Sequence, residues 1–251
     1  MSEKAYVKKE VKEGIALVEF YHPAHNSLPG DILNKLADTI TEVGQDPEVK
    51  VVIMQSGGDR TFCAGASFTE LISINDEATG KVFFSGFANV INAMRKCPKF
   101  IIGRVQGKVV GGGVGLASAM DYCMATQYAA IKLSELNLGI GPFVVGPAVA
   151  RKIGVSAMSQ IAIDANTFYS PEWAKQKGLF TKVFDTTEQL DSAVWSFAEK
   201  LTEYNPEAMA EMKKTFWAGT EDWDELLEER AAISGRLVLS EFTKNTLDKY
   251  K

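Results

Sequence analysis

Cysteine and histidine are scarce in this 251-residue chain, three of one and two of the other. Cys63, Cys97 and Cys123 are odd in number and far apart, which argues against a disulfide framework and for buried thiols in a reducing compartment. His22 and His25 stand H-x-x-H in a turn with no cluster of further ligands nearby, so no metal site is expected there. No apolar run approaches the ~20 residues of a membrane span. No stretch of five like charges occurs, and a net charge of −5 has the wrong sign for a general nucleic-acid surface. The opening MSEKAYVKKEVKEG is charged from the start and lacks the apolar segment of a secretory signal. The expectation is a cytoplasmic protein with neither membrane nor nucleic-acid partner.

The chain has enough apolar sequence for a sizeable core, with 46% hydrophobic residues against 24% charged. Apolar alternation in GIALVEF (14–20) predicts a strand, ended by the turn chemistry of HPAHNSLPGD. Asp31 is a candidate N-cap for a helix whose apolar face is Leu33, Leu36, Ala37, Ile40 and Val43. KVVIMQS (50–56) reads as a buried strand, and a long helix is predicted over about 77–96, stopped before Pro98. KFIIGRV reads as a third strand, with DYCMAT and AIKLS as short ones. Helices dominate the remainder: one lined by Leu190, Val194, Phe197 and Leu201, one opening at PEAMAEM, and a long final stretch broken near Gly235. Strands and helices that alternate early and give way to helices predict an α/β core with a C-terminal helical part.

The segment VVGGGVGLASAMDYCMA (109–125) places four glycines within five residues. It is no dinucleotide fingerprint, because Leu116 stands where the third glycine belongs. Nor is it a phosphate loop or a nucleophile elbow, since Gly-Lys-Ser/Thr and G-x-S-x-G are both absent. Its bland reading is a tight strand-to-helix packing corner. Its functional reading is an oxyanion site made of backbone N–H groups at a helix N-terminus. A second small-residue loop, FCAGAS (62–67), can supply another donor. Two such donors on one thioester oxygen stabilise an enolate.

FCAGAS, CPKFIIGRVQGKVVGGGVGLASAMDYCMA and IKLSELNLGIGPF, in this order and spacing, resemble the crotonase (enoyl-CoA hydratase/isomerase) superfamily. GIALVEF with HPAHNSLPGDIL resembles that family's opening, so the likeness covers roughly 14–184 and, more loosely, the tail. The resemblance implies an α/β fold of the crotonase-like (ClpP/crotonase) type. Residues 1–190 would form a spiral of β-β-α units, and 191–251 a helical part for trimerisation and pocket closure. It also implies a homotrimer or dimer of trimers acting on acyl-CoA, with CoA part of the substrate and no separate cofactor or metal. Position by position, Ala66 and Gly112 would donate the oxyanion-hole N–H groups. Asn26, Ser27, Leu28, Ala64, Ser67 and Phe68 would bind the CoA moiety, with Gly111, Gly115, Leu138 and Pro142 completing the substrate site. Ser67 and Thr69 depart from the Asp and Lys that the family commonly has there.

The family's hydratases use two glutamates. The first belongs to G-G-G-x-E, and here its place is taken by Gly115. The second belongs to P-E-x-x-L-G, which here reads SELNLG, so Glu135 is kept without its partner. Alone, a Glu at a strand end reads as a solvated edge charge. With the motifs around it, Glu135 is the candidate acid/base, its pKa expected to be raised by Leu138, Ile140 and Phe143.

One carboxylate suffices to move a double bond from the 3,4 to the 2,3 position, whereas hydration must also activate water. The favoured expectation is therefore 3,2-enoyl-CoA isomerisation. Hydration, including of methylglutaconyl-CoA-like substrates, is the alternative, and a non-catalytic acyl-CoA-binding member is the rival from another class. A dienoyl-CoA isomerase would need acids near Gly115 and at Phe143. Arg104, in a buried-looking strand, requires a carboxylate, either of a structural ion pair or of a substrate. Phe83, Phe84 and Phe87 pack the core and can also wall an acyl tunnel. Cys63 lacks a histidine partner and reads as core.

Overall fold

The computed structural model describes residues 4–250. β1 (Tyr6–Lys12) and β2 (Ile15–Tyr21) form a hairpin whose two turn residues, Glu13 and Gly14, both have positive φ. β3 (Ser27–Leu28) leads into α1 (Gly30–Gln45). β4 (Val51–Ser56), β5 (Thr61–Cys63) and β6 (Gly65–Ala66) precede α2 (Phe68–Leu71) and α3 (Glu77–Lys96). β7 (Phe100–Val105) and β8 (Lys108–Val110) run into α4 (Gly112–Ala119). β9 (Tyr122–Thr126) and β10 (Ile131–Lys132) run into a 3-10 turn, Glu135–Leu138, and then α5 (Gly146–Ile163). α6 (Pro171–Gln176) and β11 (Lys182–Phe184) are followed by α7 (Thr187–Thr202), α8 (Pro206–Phe216), α9 (Trp223–Leu237) and α10 (Glu241–Leu247).

The long strands form one six-stranded sheet in the order β1-β2-β4-β7-β9-β11, parallel except for β1. Each of β2, β4, β7 and β9 is followed by at least one short strand in a second layer and then by a helix, counting the 3-10 turn as part of the last crossover. The chain is a spiral of β-β-α units. No sequence repeat marks them, because what recurs is a buried strand, a short second-layer strand and a helix, not residue identity.

The central strands are apolar on both faces because both are covered. One face packs Phe20, Val52, Met54 and Ile101 against Leu36 of α1 and Ile91 of α3. The other packs Val51, Ile53, Ile102 and Met124 against Leu190, Val194, Ala198 and Leu201 of α7.

One local expectation is corrected, one strand is added and one break is relocated by a few residues. Asp31 lies in the first turn of α1; Pro29 holds the cap position, and Glu70 Oε2 accepts from Gly30 N at 3.0 Å. β1 was not anticipated: its YVKKEVK is mostly polar and pairs along one edge only, where lysines guard against further pairing. The tail is broken near Gly235, over 238–240, but not by that glycine. α9 runs through it to Leu237, and Ser240 caps α10. Gly235 is instead where α9 crosses α3, since a Cβ there would lie 2.6 Å from Lys81 N and one at Gly80 would lie 2.8 Å from Gly235 Cα. Two bare glycines let the helix backbones touch.

The tail is also tied down by charge. Lys213, 2% exposed, donates to Asp121 Oδ2 and Lys99 O, both at 2.8 Å. Asp121 also accepts from Ile101 N and Trp217 Nε1. Asp121→Ala leaves a buried ammonium without its counter-charge, so we expect a loss of roughly 3–5 kcal/mol in denaturant unfolding. Replacing both Asp121 and Lys213 by apolar residues costs clearly less.

Candidate active site

The glycine-rich turn and the FCAGAS loop meet. A Cβ on Gly65 (φ +92) would lie 3.3 Å from Val110 O and 3.6 Å from Gly112 N. Each glycine of the run serves a different close approach. Gly111 (φ +54) makes the turn into α4. Gly112 lies under the Phe87 ring, whose Cζ would be 2.4 Å from a Cβ. Gly113 abuts Cys63, whose backbone O would be 2.7 Å away. As the first residue of α4, Gly112 has an N–H with no acceptor inside the helix.

This junction opens on a cavity of about 630 Å³, ample for a small-molecule ligand. Of the residues singled out from sequence, Ser27, Ala64, Ala66, Phe68, Gly111, Gly112, Glu135, Leu138 and Pro142 line it, as do Phe83, Phe84 and Phe87.

Four others do not. Asn26 is a left-handed turn residue (φ 56) whose amide donates to Gly57 O and Thr61 O at 2.9 Å and whose Oδ1 accepts from His22 N. Leu28 is core. Ser67 caps α2, its Oγ accepting from Glu70 N. Gly115 is buried inside α4, and a Cβ there would meet Val145 Cγ1 at 2.5 Å and Ile91 Cδ1 at 3.4 Å. The place of the family's other glutamate is filled by packing.

Glu135 opens the 3-10 turn, not a strand end, and its carboxyl turns inward. Oε1 would lie 3.3 Å from a Cβ at Gly111, which places the carboxylate beside the glycine turn. Oε2 is buried and has no hydrogen-bond partner. Burial pushes the carboxyl up to about 7, backbone N–H groups of Ser134 and Glu135 opposing it only in part. The turn closes at Gly139 (φ +80), where Phe242 and Thr243 of α10 would lie 2.5 and 2.6 Å from a Cβ. The tail helix buttresses the turn that carries Glu135.

A carboxyl that ionises near pH 7 when folded and near 4.5 when unfolded binds more protons in the folded state between those values. Stability contributed by this group is therefore present below pH 4.5 and lost as pH rises through about 7. Glu135→Gln should be more stable than the parent by ~2–3 kcal/mol at pH 8 and near parity at pH 4.5, measured by urea melts.

Sequence reasoning missed Lys132, Asn137, Asn166 and Ser234, all of which line the cavity. The alternation of apolar and polar residues along Ile131, Lys132, Leu133 and Ser134 is the sequence signal for Lys132, and the structure buries the first and third and leaves the second and fourth partly open. Arg104 pairs with Asp191 of α7 (Nε–Oδ1 2.7 Å) and faces a separate cavity of about 280 Å³ on the other side of the sheet, beside Glu19 and Gln55. Cys63 is fully buried, which pushes its thiol up to about 12. Among the described residues no three His, Cys, Asp or Glu gather as a metal site, and no helix is long and apolar enough to cross a membrane.

Comparison with known proteins agrees with this geometry. A solved enoyl-CoA hydratase from Bacillus halodurans superposes with a TM-score of 0.89 over 97% of this chain and 99% of its own, at 19% identity, a likeness of fold. A short-chain-enoyl-CoA hydratase from Clostridium acetobutylicum is 28% identical over 243 residues, covering 95% of this chain and 92% of its own. A peroxisomal Delta(3,5)-Delta(2,4)-dienoyl-CoA isomerase from Arabidopsis thaliana is 26% identical over 223 residues, covering 82% and 78%. The family model described as Enoyl-CoA hydratase/isomerase matches residues 10–248. With crotonase-type architecture and a match across nearly its whole length, the chain belongs to the enoyl-CoA hydratase/isomerase family.

Proposed function

We propose that this chain isomerises 3-enoyl-CoA thioesters to their 2-enoyl forms with Glu135 as the single acid/base. The observation that carries the reading is one buried carboxylate with a partner-free oxygen beside the glycine turn, while packing closes Gly115. The N–H groups of Ala66 and Gly112 would hold the thioester oxygen. Glu135 takes the proton from C2, and the electron pair moves into a dienolate whose negative charge rests on the thioester oxygen. As the dienolate collapses, C4 takes the same proton back and the double bond lies between C2 and C3. A group titrating near 7 can accept and return a proton at comparable cost. These groups complete the step without a separate cofactor, CoA being the handle of the substrate. We take the working assembly to be a homotrimer or a pair of trimers.

Hydration is the second reading, supported by the similarity to a hydratase over almost the full length of both chains. Offering 3-hexenoyl-CoA and 2-hexenoyl-CoA separately decides between them. Conjugation of the first without water uptake by the second supports isomerisation. Conversion of the second to a 3-hydroxyacyl thioester supports hydration and sinks our preferred reading.

On the isomerase reading the rate follows ionised Glu135, the form that takes the proton from C2. We expect kcat/KM for 3-hexenoyl-CoA to rise with pH, level off above about 7, and show no such limb at 4–5.

A further inference from the structure

We infer that the cavity takes acyl groups that are uncharged and apolar along their length, and rejects acyl groups that end in a second carboxylate. The inference rests on reading the cavity as an acyl-CoA site. Its apolar wall comes from Phe68 and Leu71 of α2, Phe84 and Phe87 of α3, and Phe143 and Val144 ahead of α5. Among the described residues, the only charged side chains that line it are Lys132 and Glu135.

Glu135 has the sign that repels a carboxylate. Lys132 lies with its ammonium 5.2 Å from the ring centre of Phe168, a residue 45% exposed and outside the lining, so this cation is drawn toward the surface. Three of the neutral side-chain donors are engaged already: Ser27 and Ser234 donate to Ala66 O and Arg230 O, and Asn137 donates to Ala165 O and Asn166 Oδ1. The other two, Ser134 and the exposed Asn166, carry no charge to set against a carboxylate. Arg104, the buried guanidinium that sequence reasoning left open to a substrate carboxylate, faces a different cavity and is paired with Asp191. A second carboxylate held against the phenylalanines would lose its water and gain no partner. A methylglutaconyl-type acyl group fails this test, and a straight-chain monocarboxylic one passes it.

Calorimetric binding of two saturated thioesters, hexanoyl-CoA and adipoyl-CoA, isolates the pocket from the chemistry because neither can react. We expect hexanoyl-CoA to bind at least ~30-fold more tightly. Phe84→Arg, at a partly exposed position, should bring the two within about threefold by supplying the missing cation. Adipoyl-CoA binding as well as hexanoyl-CoA, or no binding of hexanoyl-CoA, overturns the inference. Selective binding of hexanoyl-CoA with no turnover of 3-hexenoyl-CoA leaves the inference standing and overturns the catalytic reading instead.

Discussion

Glu135→Gln is expected to lower kcat for the proposed 3-hexenoyl-CoA isomerisation by on the order of 10³–10⁴-fold and to leave hexanoyl-CoA affinity within a few-fold of the parent. The two side chains have the same shape, and near pH 7 the parent carboxyl is half protonated, so the substitution scarcely alters the cavity. What it removes is the ability to hold a proton between C2 and C4. Because nothing else bonds to Oε2, no neighbouring group is placed to take over that proton. A fall in affinity with kcat unchanged would mean that Glu135 binds substrate without moving protons. The same substitution makes the protein more stable above neutral pH. A gain in stability with a loss of turnover separates a functional carboxyl from a structural one.

Gly115→Glu, which restores the first of the family's two glutamates in sequence, should not produce a hydratase. It destabilises the chain by ~3 kcal/mol or more, a fall in Tm of roughly 10 °C. Its Cβ would enter 2.5 Å from Val145 Cγ1 and 2.8 Å from Val145 Cβ, in a helix buried along almost its entire length. The carboxylate beyond it would be left among Val145 and Ile91. Adding Val145→Ala removes the closest atom and should recover part of the lost Tm in a thermal melt. A single Gly115→Glu variant as stable as the parent and able to hydrate 2-hexenoyl-CoA would show that packing at this position does not govern the reaction.

Much of this was legible in the sequence because it depends on local pattern. The helix at Glu77–Lys96 is bounded by Asp76 as cap and by Pro98 beyond its end, and both are written in the chain. Glu135 stood out because the segment SELNLG retains a glutamate where its neighbour motif has lost one. What was not legible depends on approach between distant segments. Asn26 and Ser67 look like ligand-binding polar residues, yet their side chains close a left-handed turn and cap a short helix. Gly235 looked like a helix break and is a crossing point, which only its distance from Gly80 reveals. The filling of the space beside Gly115 by Val145, thirty residues away, likewise has no signature in either segment alone. The glycine run, dense enough to be noticed, gave its reasons only when Phe87, Cys63 and Gly65 were placed against it.

If one shielded carboxylate moves one proton from C2 to C4, deuterium placed at C2 of 3-hexenoyl-CoA should travel with it. NMR of the 2-hexenoyl product formed in the first turnovers in ordinary water should then show deuterium at C4, because the carboxyl that removes it is buried and has no partner through which to exchange it quickly. A conjugated product with no deuterium at C4, even at the earliest times, would mean that separate groups take and give the proton or that the carboxyl exchanges with water in between, and either result would overturn transfer by a single shielded Glu135.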